Sequence, residues 1–277
     1  MSDPRPATPG LEDYLRIPAL SSSGMRTLLD CPAKFLWQQE HPVFSDEFDI
    51  GKLAHALVLD DQTAMERDFV LVDADSWRRP ADQTTRRAAR EAGKTGILPK
   101  DLAAAGEMAA AVQAHPTAGR LFAPGTGRPE QTLQWTDPLS GVPLKCRLDW
   151  LPNPQPGRRM LVADYKTAKS SDPRKFQRSV AEYGYHAQAA HNLAGIRACR
   201  LDPDPAFLFV VQEKDPPYVV TVIELDQGAL QTGEQMVMDA IRLYLRCSAS
   251  GHWPGYSDEV ALVELPPWYV RPTIDID

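Results

Sequence analysis

Two apolar segments, each interrupted by one aspartate, constrain the fold of this chain more than any other feature. From residue 130 onwards apolar and polar residues alternate, and this period of two predicts strands with two different faces. Asp149 stands in the segment 142–151, and Asp164 and Lys166 share one face of the segment 160–166. Because a turn separates the two segments, we expect neighbouring strands that bring the two aspartates and the lysine together.

These three residues have a chemical explanation in metal-assisted hydrolysis. An ionised carboxylate in an apolar strand is unfavourable unless something compensates its charge. Two carboxylates at adjacent strand ends would repel, and one would tend to take up a proton. A divalent cation removes this conflict, and hard oxygen ligands suit Mg²⁺ or Mn²⁺. Lys166 could then orient or activate the attacking water and stabilise the charge on a phosphorane, so these parts suffice for phosphodiester hydrolysis.

The alternative interpretation of the aspartates is structural. Asp149 or Asp164 could form a buried salt bridge with Lys166, Lys145 or Arg147. Asp-x-Lys alone is a weak signal, because it occurs by chance in many proteins. Here it ends a strand about fifteen residues after an aspartate that ends the previous strand, and this rarer pattern favours the metal site.

The remaining pattern places helices around the strands. Ser21 to Ser23 offer an N-cap, and Asp172-Pro173 is a helix start with a break at Gly184 further on. Helices are predicted over 50–59, about 100–115, 172–199 and 226–247, and further strands over 130–135, 206–213 and 218–225. This order predicts an α/β fold with a central mixed sheet.

Length and composition predict one large domain. With 277 residues, of which 43% are hydrophobic, the chain can bury a full core. We expect a disordered tail over residues 1–15 and a single domain over 16–277, with a helical elaboration at about 60–125. The sequence has no run of about 18 apolar residues and no signal-like N-terminus, so we expect a cytoplasmic protein that does not contact a membrane.

One segment is strongly basic, although the chain carries a net charge of −7. Between residues 78 and 100 there are seven bases and two acids, and such a stretch could follow a nucleic-acid backbone. The alternative is a solvated loop and helix face, which is the usual meaning of a charge run. The candidate DNA ligands are Arg78, Arg79, Arg86, Arg87, Arg90 and Lys94, to which we add Arg147 from the strand of Asp149.

Short motifs across most of the chain resemble one family of nucleases. The motifs are His55, Glu130, Arg147-Leu-Asp149, Asp164-Tyr-Lys-Thr167 and Tyr185-His-Ala-Gln188, with Leu20-Ser-Ser-Ser, Cys31-Pro, Trp253-Pro-Gly-Tyr256 and Pro267-Trp268 around them. Together they resemble the exonuclease VIII (RecE-like) branch of the PD-(D/E)XK nucleases. The resemblance implies a restriction-endonuclease-like core, in which a central mixed sheet is flanked by helices.

The resemblance also implies a role for each site residue. It makes His55, Asp149 and Asp164 ligands of Mg²⁺ or Mn²⁺, together with the backbone carbonyl of Tyr165. It makes Lys166 catalytic. Gln188 would position the lysine or the DNA, and Glu130 would lie beside the metal.

From the residues alone, plainer roles stay open for three of these positions. His55 could be a core histidine, Glu130 a strand-edge carboxylate and Gln188 a cap for a backbone group. The chain also departs from the family, because Asn192 stands where the family often has tyrosine. Related nucleases bind an iron–sulfur cluster through one early and three late cysteines. Cys31 matches the early position, but the late Cys-x-x-Cys is missing, so no such cluster is expected.

The activity that the resemblance implies is Mg²⁺-dependent exonuclease action on the ends of double-stranded DNA. One strand would be degraded from 5′ to 3′, which leaves a 3′ single-stranded tail. Such enzymes often form homo-oligomeric rings around DNA and serve a single-strand annealing protein. An endonuclease or repair nuclease of the same fold, and an inactive DNA-binding scaffold, remain the alternatives.

Overall fold

The computed structural model of the protein describes residues 10–41, 50–59, 62–266 and 269. Within them the helices are α1 (Leu11–Arg16), α2 (Ser22–Asp30), α3 (Pro32–Glu40), α4 (Ile50–Val58), α5 (Gln62–Asp68), α6 (Pro80–Glu91), α7 (Pro99–Ala114), α8 (Ala118–Leu121), α9 (Pro173–Glu182), α10 (Tyr185–Ala198) and α11 (Gln227–Ser250). The strands are β1 (Phe69–Leu71), β2 (Thr95–Ile97), β3 (Gly127–Thr136), β4 (Pro143–Pro152), β5 (Leu161–Ala168), β6 (Ala206–Glu213) and β7 (Val220–Glu224).

Five strands form the main sheet in the order β3-β4-β5-β6-β7. β5 and β6 are parallel, and the other neighbouring pairs are antiparallel. Parallel neighbours need a long crossover connection, and helices α9 and α10 provide it. The predicted mixed sheet with flanking helices is therefore confirmed.

The sheet is buried on both faces. On one face Tyr165 and Val210 pack with Leu53 of α4 and Met108 of α7. On the other face Phe209 belongs to a cluster with residues of α9 and α10. Because successive residues of β6 are buried on opposite faces, this strand is apolar along most of its length rather than alternating.

Two of the predicted helix starts, and the predicted break, are confirmed by local geometry. The Ser21 hydroxyl accepts a hydrogen bond from the backbone N–H of Gly24 at 3.1 Å. The Asp172 carboxylate accepts one from the N–H of Arg174 at 3.0 Å. Gly184 separates α9 from α10 with a φ of +61°, which favours glycine because it has no Cβ.

Strand β4 differs from its predicted pattern at one position. A period of two along the segment 142–151 predicts Trp150 on the same face as Leu148, but Trp150 packs in the opposite cluster, with Phe122 and Tyr165. Asp149 and Trp150 thus face the α4 side together. On the neighbouring strand β3, Glu130 has a φ of +56°. Both strands therefore depart from regular geometry where Glu130 lies beside Asp149.

The beginning of the chain also differs from expectation, because residues 11–15 of the predicted disordered tail form helix α1. The buried ammonium group of Lys145 donates hydrogen bonds to the carbonyls of Tyr14 at 2.8 Å, Leu15 at 3.2 Å and Ile17 at 2.9 Å. A buried cation needs such acceptors, and they fix the segment against β4. Residues 1–9 of the predicted tail, and the motif Pro267-Trp268, lie outside the described residues.

The segment 60–125, where we predicted a helical elaboration, also contains a small second sheet. β1 and β2 pair in parallel, from Phe69 opposite Thr95 to Leu71 opposite Ile97. Helix α6 lies between these strands in the sequence, and α7 joins the main core through Met108 and Val112. The division of the chain into a tail and one domain stays a prediction.

Candidate active site

The candidate site lies where strands β4 and β5 separate. Trp150 pairs with Ala163, and the next two residues along this antiparallel ladder are Asp149 and Asp164. Beyond that pair, the N–H of Tyr165 donates to the Asp149 carboxylate at 2.8 Å instead of to a strand carbonyl. The separation of the strands makes room for both carboxylates in the middle of the sheet, rather than at strand ends.

His55, Glu130 and Asp149 converge on the α4 side of this separation. His55 Nε2 lies 3.2 Å from Asp149 Oδ2, and His55 Nδ1 lies 3.6 Å from Glu130 Oε1. One ligand atom from each of the three residues falls within 4.8 Å of the others. Oxygen donors and an imidazole so close together fit a divalent cation, whose charge would offset the repulsion between the carboxylates.

Glu130 is held in a conformation that a strand residue seldom adopts. Its φ of +56° lies in the left-handed region, which costs a residue other than glycine about 1–3 kcal/mol unless its surroundings enforce it. The Arg147 guanidinium donates a hydrogen bond to the Glu130 carboxylate, and the Arg147 side chain is 10% exposed. Arg147 thus fixes the orientation of Glu130 towards His55.

Asp164 and Lys166 form the second part of the site. Lys166 Nζ lies 2.5 Å from Asp164 Oδ2, and Gln188 Nε2 donates to Asp164 Oδ1 at 2.7 Å. Helix α10 carries Gln188, and the crossover brings its first turn next to β5. The Lys166 ammonium also lies 5.3 Å from the ring centroid of Tyr185. Both oxygens of Asp164 are therefore engaged by named partners.

The charges of the site shift the pKa values of its members. Burial favours neutral His55, but the carboxylates of Asp149 and Glu130 outweigh burial and raise the pKa of His55 to about 9. Burial likewise opposes ionised Asp149, yet His55 and Lys166 hold its pKa below the usual range. Protonated His55 therefore neutralises part of the carboxylate charge at neutral pH.

Asp164 and Lys166 respond to burial in different ways. Burial and the charge of Asp149 together raise the pKa of Asp164 to about 6, although Lys166 acts in the opposite direction. Burial disfavours the Lys166 ammonium, but the carboxylates of Asp164 and Asp149 raise its pKa above the usual value. Lys166 consequently keeps its proton at neutral pH.

A cavity of about 720 Å³ lies beside the site. His55, Glu130 and Lys166 line one part of it, and Lys52 and Arg90 line another. Of the predicted DNA ligands in the basic segment, Arg90 is thus next to the site. The others lie along α6 and its flanks: Arg78 and Arg79 are exposed, Arg86 lies over the Trp77 ring, Arg87 pairs with Glu91 and Lys94 donates to the carbonyl of Glu66.

Two residues near the site had no role assigned from the sequence. Tyr185 was part of the quoted motif, but its contact with Lys166 depends on how α10 packs. Gln212 is fully buried in β6, where the Tyr165 hydroxyl contacts its side-chain oxygen. The Gln212 amide donates to the carbonyls of Met108 at 2.9 Å and Tyr218 at 3.2 Å. These bonds hold Gln212 in place, and Gln212 in turn holds the Tyr165 hydroxyl. A lone glutamine in an apolar strand is the signal that could have pointed to it.

Comparison with known families identifies the fold. Residues 21–266 match the family model described as PDDEXK-like domain of unknown function (DUF3799). The chain belongs to this family. As a PDDEXK-like protein it has the α/β fold of restriction endonucleases, which confirms the predicted fold class. No curated protein matches the chain.

Two solved structures are similar to this PDDEXK-like chain. One is a protein from Eubacterium rectale described as a candidate exonuclease; it aligns over 92% of this chain and 93% of its own, with 15% identity and a TM-score of 0.57. The other, SSO0001, aligns over 86% of this chain and 88% of its own, with 12% identity and a TM-score of 0.30. The first supports the fold, whereas the second differs too much in structure to do so. Among the described residues, no helix is long and apolar enough to cross a membrane.

Proposed function

We propose that this PDDEXK-like protein is a metal-dependent exodeoxyribonuclease that acts on the ends of linear double-stranded DNA. The observation that carries the proposal is the pair of adjoining clusters at the β4–β5 separation. His55, Glu130 and Asp149 bring ligand atoms within 4.8 Å of one another. Beside them Lys166 is paired with Asp164 at 2.5 Å. A cation site next to a half-buried lysine ammonium suits hydrolysis of a phosphodiester, because both can offset negative charge on the phosphate.

The residues that would hold Mg²⁺ or Mn²⁺ are His55, Asp149, Asp164 and the backbone carbonyl of Tyr165, with Glu130 beside them. When bound, the cation would lower the pKa of the attacking water and offset negative charge on the phosphate. Carboxylate and carbonyl oxygens are donors that both ions prefer. Arg147 contributes by fixing Glu130, in addition to the DNA contact that we assign to it.

The protein's own residues supply orientation and charge. Lys166 keeps its proton, so its ammonium group stabilises negative charge on the phosphate oxygens and orients the attacking water. Gln188 donates a hydrogen bond to Asp164 Oδ1 at 2.7 Å and so fixes the orientation of the Asp164 carboxylate. Tyr185 covers one side of the Lys166 ammonium, which limits where that side chain can move.

The finer parts of the proposal concern direction and partners. The resemblance to the RecE-like branch supports degradation from 5′ to 3′ that leaves 3′ tails for recombination in the cytoplasm. It also supports a phage-type role beside a single-strand annealing protein, and a ring of identical subunits. The description of the Eubacterium rectale protein as a candidate exonuclease agrees with action on DNA ends. Arg90, with the rest of the basic segment, would contact the DNA backbone.

The proposal is tested with duplex DNA labelled at the 5′ or the 3′ end. With Mg²⁺ the wild-type protein is expected to degrade linear duplex and to release the 5′ label first, whereas chelator stops the reaction. Lys166→Ala should reduce the rate by at least about 100-fold, as loss of a group that stabilises developing charge does. Lys169→Ala, which removes an exposed lysine of the same segment, is the control and should keep full activity.

Three results would contradict parts of this proposal. Cleavage of closed circular duplex would indicate an endonuclease or repair nuclease instead. Binding of DNA without any metal-dependent cleavage would indicate a DNA-binding scaffold. Equal activity of Lys166→Ala and Lys169→Ala would show that the catalytic assignment is wrong.

A further inference from the structure

Arg26 on helix α2 is a cation beside the site that the proposed mechanism does not use. Its guanidinium donates a hydrogen bond to the backbone carbonyl of Tyr183, at the junction of α9 and α10. Among the residues that the structure describes, no carboxylate lies within ion-pair distance of Arg26. Its positive charge is therefore available to an anion from outside the chain.

The position of Arg26 is enforced by the backbone of that junction. Gly184 has a φ of +61°, and a Cβ added to it would lie 2.9 Å from Arg26 Cδ. Because Gly184 has no side chain, the Arg26 side chain can pass directly beside it. The guanidinium also interacts electrostatically with Asp164 and Tyr185, so it lies within the field of the candidate active site.

Tyr183 places an exposed aromatic ring at the same junction. Tyr183 is 48% exposed, and its ring centroid lies 5.7 Å from that of Tyr185. The Tyr185 ring in turn lies 5.3 Å from Lys166 Nζ. The rings of Tyr183 and Tyr185 therefore form a continuous row of contacts from the surface to Lys166.

We propose that Arg26 and Tyr183 bind the DNA strand next to the bond that is hydrolysed, the guanidinium at a backbone phosphate and the ring against an unpaired base. This inference rests on the proposed function. Arginine pairs with phosphate through its planar fork of N–H donors. An exposed aromatic ring stacks on a base of any sequence, provided that the base is not paired. The substrate at this junction is consequently a strand separated from its complement.

The inference is tested by measuring the Kd for a short fluorescein-labelled single strand, and for the same strand in a blunt duplex. Chelator is present throughout to prevent cleavage. Tyr183→Ala should raise the Kd for the single strand about tenfold, and Tyr183→Phe should bind like the wild type, because stacking needs the ring and not the hydroxyl. Arg26→Ala should also raise the Kd about tenfold and should lower the slope of log Kd against log salt by about one. Arg26→Lys should keep that slope.

Arg197→Ala is the matched control for Arg26. Arg197 is exposed in the last turn of α10, at the end opposite Gln188, and its loss should leave the Kd unchanged. Thermal unfolding of every variant checks that it is folded. If Arg26→Ala and Tyr183→Ala bind as tightly as Arg197→Ala, the inference is wrong, even where the wild type degrades DNA. If the wild type binds as expected and never cleaves, the proposed function fails while the contact stands.

Discussion

The ammonium group of Lys166 lies between a carboxylate and an aromatic ring, and both favour its charged form. Asp164 is 2.5 Å away, and the Tyr185 ring is 5.3 Å away. A lysine that removes a proton from water would need a lowered pKa, but here the neighbouring carboxylates raise it. We infer that Lys166 acts through its charge and its hydrogen bonds, and that it does not act as the general base.

At His55 a proton and a metal ion compete for the imidazole. With a pKa of about 9 its imidazole is mainly protonated at pH 7, whereas a metal ligand must be neutral. A cation that binds at pH 7 must therefore displace a proton from His55. Affinity for the cation should rise about tenfold for each pH unit up to about pH 9 and then level off. Below about pH 6, protonation of Asp164 should lower the affinity further.

We predict that Mn²⁺ binding at pH 7 releases about one proton per ion, because His55 must be neutral to bind it. Calorimetric titration in two buffers of different ionisation enthalpy measures this number. His55→Gln should abolish the release, and His252→Gln, at an exposed position after α11, should retain it. Release that is absent from the wild type, or equal in the two variants, would show that His55 is not a ligand.

Among the elements of the fold, the strand pair β4–β5 could be predicted well, because period-two alternation is a local property of the sequence. Asp149, Asp164 and Lys166 were singled out as candidate site residues in this way. Trp150 was assigned to the wrong face, since the change of face at Asp149 depends on the geometry of the neighbouring strand. Helix α1 was missed because its partner, Lys145, is far away in the sequence.

The contacts between elements account for the rest of what could not be predicted. His55 was connected with the aspartates through family resemblance, because helical spacing does not show which strand a helix faces. Strands β1 and β2 have three residues each, too few to display a period. Arg26 and Tyr185 reach the site through the packing of α2 and α10, which no local pattern encodes.

Helices α10 and α11 approach closely at Gly233, and this contact positions the helix that carries Gln188. A Cβ at Gly233 would lie 2.2 Å from the carbonyl oxygen of His186. We predict that Gly233→Ala lowers the free energy of unfolding by about 3 kcal/mol, because two backbones must move apart. Cleavage should weaken as well, since α10 shifts Gln188.

Gly106→Ala is the comparison for this prediction. Gly106 is exposed inside α7, and an added Cβ would meet no atom within 4 Å. It should raise the free energy of unfolding by about 0.5–1 kcal/mol, because alanine loses less backbone entropy in a helix. Urea unfolding of both variants gives the two values. A Gly233→Ala protein as stable as Gly106→Ala would mean that the two helices are not tightly packed there.

At the scale of the whole molecule, the candidate metal site links parts of the chain that are distant in sequence. The α4 helix brings His55, β3 brings Glu130, β4 and β5 bring the aspartates, and α10 brings Gln188. A cation bound among them would stabilise the folded state against the unfolded state, in which the ligands are dispersed. The size of this effect depends on the cation concentration relative to its Kd.

We predict that Mn²⁺ at about 100 times its Kd stabilises the protein by about 2.7 kcal/mol and that chelator reverses the effect. Thermal unfolding with and without the ion measures it as a rise of several degrees in Tm. Asp149→Asn should remove most of the rise, whereas Asp258→Asn, at an exposed position near the end of the described chain, should leave it intact. A full rise in Asp149→Asn would place the cation elsewhere.

The scattered origin of the site along the chain has a consequence for synthesis on the ribosome. His55 leaves the exit tunnel well before β4 and β5, and Gln188 follows later still. β6, which completes the parallel pairing of β5, comes after Gln188. A nascent polypeptide therefore carries the parts of the site without assembling them until most of its length has been translated. A chain that terminates before β6 would lack the strand next to β5, so we expect it not to assemble the candidate site.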